Sequence, residues 1–233
     1  MRLIGITQPT EEIQRETGIV SAQDLVAYVA RVSNPSNQAN NETAEKLLKY
    51  LSKNKHWSPY EMVHLVMEIN TTRDIARQIL RHRSFSFQEF SQRYADPTQS
   101  LGFVTREMRL QDTKNRQNSI EVDDNTVLDP KTLRNSGWTK EEWTKKQQAV
   151  LDAAKEAYGW AVEHNIAKEQ ARVVLPEGLT ASRMYMTGSL RSWIHYCELR
   201  CANGTQKEHR EIALQCWDVI CDQFPSLKTI LEQ

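Results

Sequence analysis

Five arginines and no lysine fall within residues 73–93. The first three, Arg73, Arg77 and Arg81, recur every four residues, which predicts that they share one face of a helix. The planar guanidinium group suits two-pronged contact with phosphate or carboxylate. Only two acidic residues lie among these arginines, and crowded like charges repel each other unless an anion is bound. The segment therefore predicts a local anion site, with a solvated helix face as the alternative.

Aromatic side chains are interleaved with the later arginines of the same segment: Phe85, Phe87, Phe90 and Tyr94. We expect at least two of them to lie in the core. Beside guanidinium groups, the faces of the remaining rings suit a flat heterocycle. Arginines for a phosphate and rings for a base together predict a nucleotide pocket.

Three further polar patches lie far away along the chain. Near the end of the sequence, Arg191, His195 and Glu198 share one helical face, and Arg200 ends the helix, where the dipole favours a cation. The alternative is a helix with ordinary surface charges. The other two patches are Arg172 in "EQARVVLPEG" and the trio His56, Ser58 and Glu61. The sequence leaves open whether these patches converge on one site.

Several kinds of site are excluded or disfavoured by the motifs. The six histidines form no H-x-x-x-H or H-E-x-x-H pair, so no metal site is expected. No G-x-S-x-G elbow occurs, and no base is placed beside Ser91 by spacing, which disfavours a serine nucleophile. Only 8 glycines are present, without a Rossmann or P-loop pattern.

Composition restricts the class of protein further. The 30 Lys+Arg balance 30 Asp+Glu, so bulk charge drives binding neither to nucleic acid nor to a membrane surface. No apolar run is long enough for a transmembrane helix, and the N-terminus lacks a signal-peptide core. The four cysteines lie at helical spacings, which predicts reduced thiols and a cytoplasmic location: Cys197, Cys201, Cys216 and Cys221.

Periodicity predicts the elements that must position these residues. Residues 2–7 and the alternating segment 63–69 read as strands, and "HWSPYE" between them reads as a turn at Pro59. Helical patterns cover residues 21–33, 41–54, 73–83, 139–165, 188–200 and 205–224. Thr139 and Glu142 predict a capping box for the fourth helix.

The rhythm of these elements favours an α+β fold over a doubly wound sheet. We expect one domain, residues 1–233, with a mostly antiparallel sheet flanked by long helices. Residues 96–137 are polar and carry Pro97, Gly102, Pro130 and Gly137, which predicts a long, partly ordered insertion of open function.

The motifs of this chain resemble those of the flavin-dependent thymidylate synthases. Arg81, His82 and Arg83, followed after seven residues by Ser91, match the R-H-R-x7-S signature of that family. "ARVSN", "HWSPYE", "EFSQRY", "ARVVLP" and "ELR" recur in the family's order, and the resemblance spans roughly residues 25–215.

The resemblance implies a reaction, its cofactor and its partners. Deoxyuridine monophosphate (dUMP) gains a methyl group at C5 to become dTMP, without a covalent protein nucleophile. Methylenetetrahydrofolate supplies the carbon, and FAD reduced by NADPH supplies the hydride. The family also implies a homotetramer with sites shared between subunits. The rivals are a non-catalytic nucleotide- or single-stranded RNA-binding protein, and a flavoreductase that lacks methyl transfer.

The resemblance also assigns residues one at a time. Arg200 matches the arginine that activates the pyrimidine, because a guanidinium beside N3 stabilises the negative charge that develops there. The dUMP-binding positions are Gln78, Arg81, Glu89, Phe90, Ser91, Gln92, Arg93, Arg172 and Arg200. The FAD-binding positions are Ser58, Arg81, His82, Arg83, Glu89, Ser189, Arg191 and His195. The chain departs from the common family pattern at Met62, Gln92 and His195.

Overall fold

The computed structural model of the protein describes residues 1–129, 131–132 and 134–231. The strands are β1 (Arg2–Ile6), β2 (His64–Thr72), β3 (Ser86–Glu89), β4 (Leu110–Gln111), β5 (Ser119–Ile120), β6 (Val127–Asp129), β7 (Arg134–Asn135) and β8 (Ala181–Ser189). The α-helices are α1 (Glu11–Thr17), α2 (Ala22–Ala30), α3 (Ala44–Lys53), α4 (Arg73–Ile79), α5 (Pro97–Ser100), α6 (Ser136–Glu163), α7 (Lys168–Ala171), α8 (Leu190–Arg200) and α9 (Lys207–Gln223). Short 3-10 turns cover Pro35–Asn37, Ser58–Met62, Arg172–Val174 and Pro225–Leu227.

A four-stranded antiparallel sheet in the order β1-β2-β8-β3 is the centre of the fold. Strands β2 and β8 pair along nine residues, and the predicted alternation of β2 is confirmed, since Val63, Leu65, Met67 and Ile69 are fully buried. The predicted α+β class with an antiparallel sheet is therefore confirmed. The assignment of the whole chain to one domain stays a prediction.

Helices α4 and α8 cover the buried face of this sheet. Ile75 and Ile79 of α4 share one core with Trp193 and Tyr196 of α8 and with the inward side chains of β2. Trp193 Nε1 also donates to the Leu65 carbonyl at 3.2 Å. The core thus fixes both helices on which most of the predicted site residues depend.

The predicted end of the helix that begins at Arg73 is wrong. Helix α4 ends at Ile79 rather than near Arg83, so Arg81 lies in a turn and does not share a helical face with Arg73. The cause is long-range: Phe85 is 9% exposed, packs against Gly188, and is followed by β3, which pairs with β8. The sequence contained a strand, β3, that periodicity did not reveal.

Two smaller predictions need correction. "HWSPYE" leads into a 3-10 helix, Ser58–Met62, rather than a simple turn. Helix α6 begins earlier than predicted and is capped by Asn135, whose side chain accepts from the Trp138 amide. Thr139 therefore lies inside the helix, and the predicted capping box is absent there because Asn135 already caps the chain upstream.

The segment 96–137 has more regular structure than a partly ordered loop. It contains α5 and two small antiparallel pairs, β4–β5 and β6–β7. Pro130, one of the residues that marked the insertion, lies outside the described residues. The insertion is anchored by Gln147 of α6, whose side-chain amide accepts from the Arg106 amide at 2.7 Å and donates to its carbonyl at 2.9 Å.

Gly188 tests the packing that ends α4. A Cβ at this position would lie 2.5 Å from Phe85 Cδ1, inside van der Waals contact. We expect Gly188→Ala to lower the free energy of unfolding by about 1–3 kcal/mol, because the ring must shift. Urea unfolding measures this change. Gly159→Ala is the control: no atom lies within 4 Å of its added Cβ in α6, and helix propensity favours Ala by about 1 kcal/mol. Equal stability of Gly188→Ala and the unmodified protein would contradict the packing argument.

Candidate functional site

The guanidinium group of Arg200 lies against an imidazole from the R-H-R turn. Arg200 Nε donates to His82 Nε2 at 2.9 Å, across a sequence separation of 118 residues. The His82 ring meets the Tyr196 ring edge-on, with centroids 4.9 Å apart. Arg200 Nη1 and Nη2 make no hydrogen bond or ion pair with any residue that the structure describes.

The topology explains how these distant residues meet. Strands β2 and β8 are antiparallel, so α4 and α8 leave opposite ends of the pair and both fold back over it. Their lengths, roughly 10 Å and 16 Å, nearly add up to the roughly 30 Å span of a nine-residue strand. The C-terminal end of α8 therefore reaches the turn that follows α4.

Burial keeps the imidazoles at this meeting point neutral. Burial and, to a smaller extent, the nearby charges of Arg200 and Arg81 together lower the pKa of His82 from 6.5 to about 4. His209 is fully buried, and burial, Arg200 and His82 likewise lower its pKa to about 4. At neutral pH the neutral His82 can accept the Arg200 hydrogen bond, which a protonated ring could not do.

A second cluster surrounds Glu89. Arg73 lies 3.5 Å from the Glu89 carboxylate, and the Ser182 hydroxyl donates to the same carboxylate at 2.7 Å. Burial lowers the pKa of Arg73, and Arg77 and Arg172 add to this effect, while Glu89 opposes it. The positive charge of Arg172 is thus one of the causes that lower the pKa of Arg73.

The arginines at the edge of this second cluster have acidic or carbonyl partners. Arg77 pairs with Glu177 at 3.0 Å, and Arg93 pairs with Glu169 at 3.4 Å. Arg172 Nε donates to the Glu169 carbonyl at 3.3 Å but forms no ion pair among the described residues. Among the residues that the structure describes, the cluster therefore keeps one cation, Arg172, without an anionic partner.

A third cluster joins the 3-10 turn to the start of α8. Glu61 accepts from Arg191 at 2.7 Å and from the Ser189 hydroxyl at 2.9 Å. Burial raises the pKa of Glu61, but the two hydrogen bonds outweigh burial, and its pKa is lowered. His195 is exposed, and its ring lies 5.1 Å from that of Trp57. Ser58 is exposed at the start of the turn.

The segment after β3 mixes buried and exposed side chains. The Phe90 amide continues the pairing with β8 by donating to the Arg183 carbonyl at 2.8 Å. Gln92 is 4% exposed, and its Nε2 has no hydrogen-bond partner. The Ser91 hydroxyl accepts from the Arg93 amide at 3.3 Å. Tyr94 is 81% exposed, in contrast with Phe85 and Phe87, which pack on the core as expected for two of the four rings.

Within one chain the predicted residues thus form three clusters rather than one pocket. Arg81 and Arg83 are exposed, and their side chains make no hydrogen bond or ion pair with any described residue. A cavity of about 760 Å³ lies instead between the insertion and the start of α9, and no predicted site residue lines it. No group of three or more His, Cys, Asp or Glu among the described residues could hold a metal ion. The same part of the chain has no helix that is both long enough and apolar enough to cross a membrane.

The sequence did not predict two residues that pack against His82 in the first cluster, Tyr196 and His209. A signal for His209 was present, because it falls in helical register with the buried stripe of α9 at Ala213, Cys216 and Ile220. A histidine on an apolar stripe indicates a buried imidazole with partners elsewhere. The partners themselves lie too far away in sequence to be inferred.

Comparison with known proteins identifies the family. Residues 18–226 match the family described as "Thymidylate synthase complementing protein". The flavin-dependent thymidylate synthase of Synechocystis is 45% identical over 232 residues, which cover 100% of this chain and 99% of that protein. The chain belongs to the flavin-dependent thymidylate synthase family. A protein of Paramecium bursaria Chlorella virus 1 that is named a probable flavin-dependent thymidylate synthase is 44% identical over 234 residues, covering 99% of this chain and 98% of its own.

A solved structure supports the fold. The UMP/dUMP methylase PolB of Streptomyces cacaoi, solved with 5-Br dUMP, superposes with a TM-score of 0.71 at 22% identity, covering 97% of this chain and 90% of that chain. The family membership confirms the resemblance seen in the motifs. The matched range contains every predicted site position of this flavin-dependent thymidylate synthase family member.

The two neutral imidazoles predict how stability depends on pH. Their pKa values are lowered to about 4 in the folded chain, so between pH 6.5 and 4 the unfolded chain binds more protons. The free energy of unfolding should therefore fall as the pH falls through this window. Urea unfolding at pH 7 and pH 5 measures the loss, and His209→Asn should reduce its size. An identical pH dependence in the variant and the unmodified protein would contradict the buried neutral His209.

Proposed function

We propose that this protein converts dUMP to dTMP, with FAD as cofactor and with methylenetetrahydrofolate and NADPH as co-substrates. Full-length identity of 44–45% to proteins that carry this name supports the reaction. The observation that carries the catalytic assignment is the 2.9 Å hydrogen bond that holds Arg200 against the neutral His82. Four free cysteines agree with a reducing cytoplasm, which we propose as the location.

Arg200 is proposed as the catalytic residue. Attack through C5 of the pyrimidine draws electron density from N3, and a guanidinium group in hydrogen-bond reach stabilises the negative charge on N3 and the adjacent carbonyl oxygens of the form that is nucleophilic at C5. Because His82 takes only Nε, the two Nη groups of Arg200 are available to the substrate. The neutral His82 imidazole orients the Arg200 guanidinium group and does not neutralise its charge, as a preorganised electrostatic site requires.

The cluster around Arg172 is proposed as the phosphate subsite. The charge of Arg172 contributes to the lowered pKa of Arg73, and Arg172 lacks an ion-pair partner among the described residues, so a bound phosphate would offset the repulsion between the two cations. Ser91, Gln92 and Arg93 would hold the nucleotide nearby. Glu89 and Phe90 complete the segment, and Gln78 belongs to the first cluster.

The residues assigned to FAD fit the chemistry of that group. FAD carries a pyrophosphate and a flat ring, and the exposed side chains of Arg81 and Arg83, which have no partner in the described part of the chain, suit the pyrophosphate. The flavin supplies the hydride that completes the methyl group. Ser58, His82, Glu89, Ser189, Arg191 and His195 would bind and orient it.

We also propose a homotetramer whose sites are shared between subunits. The catalytic, phosphate and Glu61 clusters are separate within one chain, so neighbouring chains must bring complementary clusters together. The 81% exposed Tyr94 and the 82% exposed Val173 lie next to the Arg93 and Arg172 positions, where such contacts would form. Light scattering of the purified protein tests the tetramer.

Two arginine variants separate catalysis from binding. Arg200→Ala should lower kcat by roughly 100-fold or more, as expected when a transition-state donor is lost, while the bound flavin per chain is retained. Arg172→Ala should mainly raise the KM for dUMP, because phosphate binding is common to the ground and transition states. Steady-state kinetics with flavin quantified by absorbance measure both. Flavin loss with normal turnover per flavin in Arg200→Ala, or a pure fall in kcat in Arg172→Ala, would contradict these roles.

Visible absorbance and product formation test the function as a whole. The purified protein should be yellow, and should form dTMP only when dUMP, methylenetetrahydrofolate and NADPH are all present. A colourless protein that binds single-stranded RNA with steep salt dependence would refute the proposal. So would a yellow protein that oxidises NADPH regardless of dUMP and makes no dTMP.

A further inference from the structure

A chain of hydrogen bonds runs from the catalytic cluster to the start of α9. His209 contacts the Tyr196 hydroxyl through Nε2 at 3.1 Å and Gln78 Oε1 through Nδ1 at 3.3 Å. Gln78 Nε2 donates to Gln206 Oε1 at 2.8 Å, and Gln206 Nε2 donates to the Glu208 carboxylate at 2.9 Å. These hydrogen bonds link Gln78, the amide proposed to bind the nucleotide, to the carboxylate of Glu208, which lies outside the proposed site.

The chemistry of the groups fixes the direction of every bond in this chain. The ionised Glu208 carboxylate can only accept, so Gln206 must present its NH2 group to it and its oxygen to Gln78. Gln78 must then present its NH2 group to Gln206 and its oxygen to His209. Nδ1 of His209 therefore carries the proton, and Nε2 accepts from the Tyr196 hydroxyl. One carboxylate at the end orients two amides and selects one imidazole tautomer.

The 96–137 insertion holds that carboxylate in place. Glu208 lies 3.1 Å from Arg106 Nη1 and 2.6 Å from Arg109 Nη2, and both arginines belong to the insertion. Arg106 also pairs with Asp74 at the start of α4, at 2.8 Å. These contacts remove the freedom of Glu208 to rotate away from Gln206.

We propose that Glu208, Gln206 and His209 are positioning residues that present the Gln78 amide to the nucleotide in one orientation, and that the insertion acts on dUMP binding through Arg106 and Arg109. This inference rests on the proposed function in one respect only, the assignment of Gln78 to dUMP. None of the three residues belongs to the sites inferred from the family motifs. The inference gives the insertion a role in substrate recognition.

Replacement of His209 tests the positioning. His209→Leu removes the donor to Gln78, which is then free to flip, and the KM for dUMP should rise about tenfold with kcat changed less than twofold. His209→Asn keeps a donor near the Nδ1 position and should restore most of the binding. A purely structural histidine would instead give equal kinetic effects in both variants, or no change in KM, and either result would overturn the proposal.

A matched pair of neighbouring residues tests the link to the insertion. Glu208→Met removes the terminal acceptor and should raise the KM for dUMP as His209→Leu does. Lys207→Met is the control. Lys207 pairs with Glu107 and Glu121 of the insertion at 2.8 and 2.5 Å, but its side chain makes no hydrogen bond with the described residues Gln78, Gln206, Glu208 and His209. Its KM should equal that of the unmodified protein. Equal KM values for dUMP in Glu208→Met and Lys207→Met would contradict the proposed effect of the insertion on dUMP binding.

The tautomer of His209 provides a readout that does not depend on activity. Nitrogen NMR of the 15N-labelled protein should show the Nδ1–H form in the unmodified protein, and a share of the Nε2–H form in Glu208→Met. An Nε2–H form in the unmodified protein would overturn the directed chain. If the protein makes no dTMP but His209 has the Nδ1–H form, the proposed function is wrong while the direction of the hydrogen bonds from Glu208 to His209 is supported.

Discussion

The site depends on one constraint: the half-buried guanidinium group of Arg200 lies against an imidazole, His82, that is neutral at neutral pH. Burial and the surrounding cations lower the pKa of His82 and His209 to about 4, so neither ring adds charge at neutral pH. A neutral His82 accepts from Arg200 Nε, and the two Nη nitrogens of Arg200 have no hydrogen-bond partner among the described residues. A protonated ring in the same place would repel the cation and offer it no acceptor.

The antiparallel sheet brings Arg200 and His82 together although they lie far apart in the sequence. Because β2 and β8 pair antiparallel, the helices that follow them, α4 and α8, converge over one core. The Arg200–His82 hydrogen bond joins the two where they meet. The Phe85–Gly188 contact ends α4 early enough for the R-H-R turn to reach α8. The insertion then joins α4 to α9 through Arg106, which contacts both Asp74 and Glu208. The geometry of the proposed catalytic site and the stability of the fold therefore depend on the same few interfaces.

The sequence predicted those features of the fold that depend on residues close together along the chain. The alternation of β2 follows from the spacing of its apolar residues, and the structure agrees with it. The end of α4 could not be predicted in this way, because it depends on Phe85 packing against a glycine 103 positions later in the sequence. The motifs likewise named Arg200 and His82, but not that they touch, and did not reveal the partners of His209. Those contacts are set by tertiary packing, to which a single sequence gives no access.

A crystal structure of the assembled protein with FAD and a 5-halogenated dUMP tests the central claim most directly. The account predicts that Arg200 Nη atoms lie within hydrogen-bond distance of N3 or its adjacent carbonyl oxygen, with Nε still on His82. It also predicts the nucleotide phosphate beside Arg172 of one of the subunits. A pyrimidine bound away from Arg200, or a phosphate held without Arg172 of any subunit, would contradict the account.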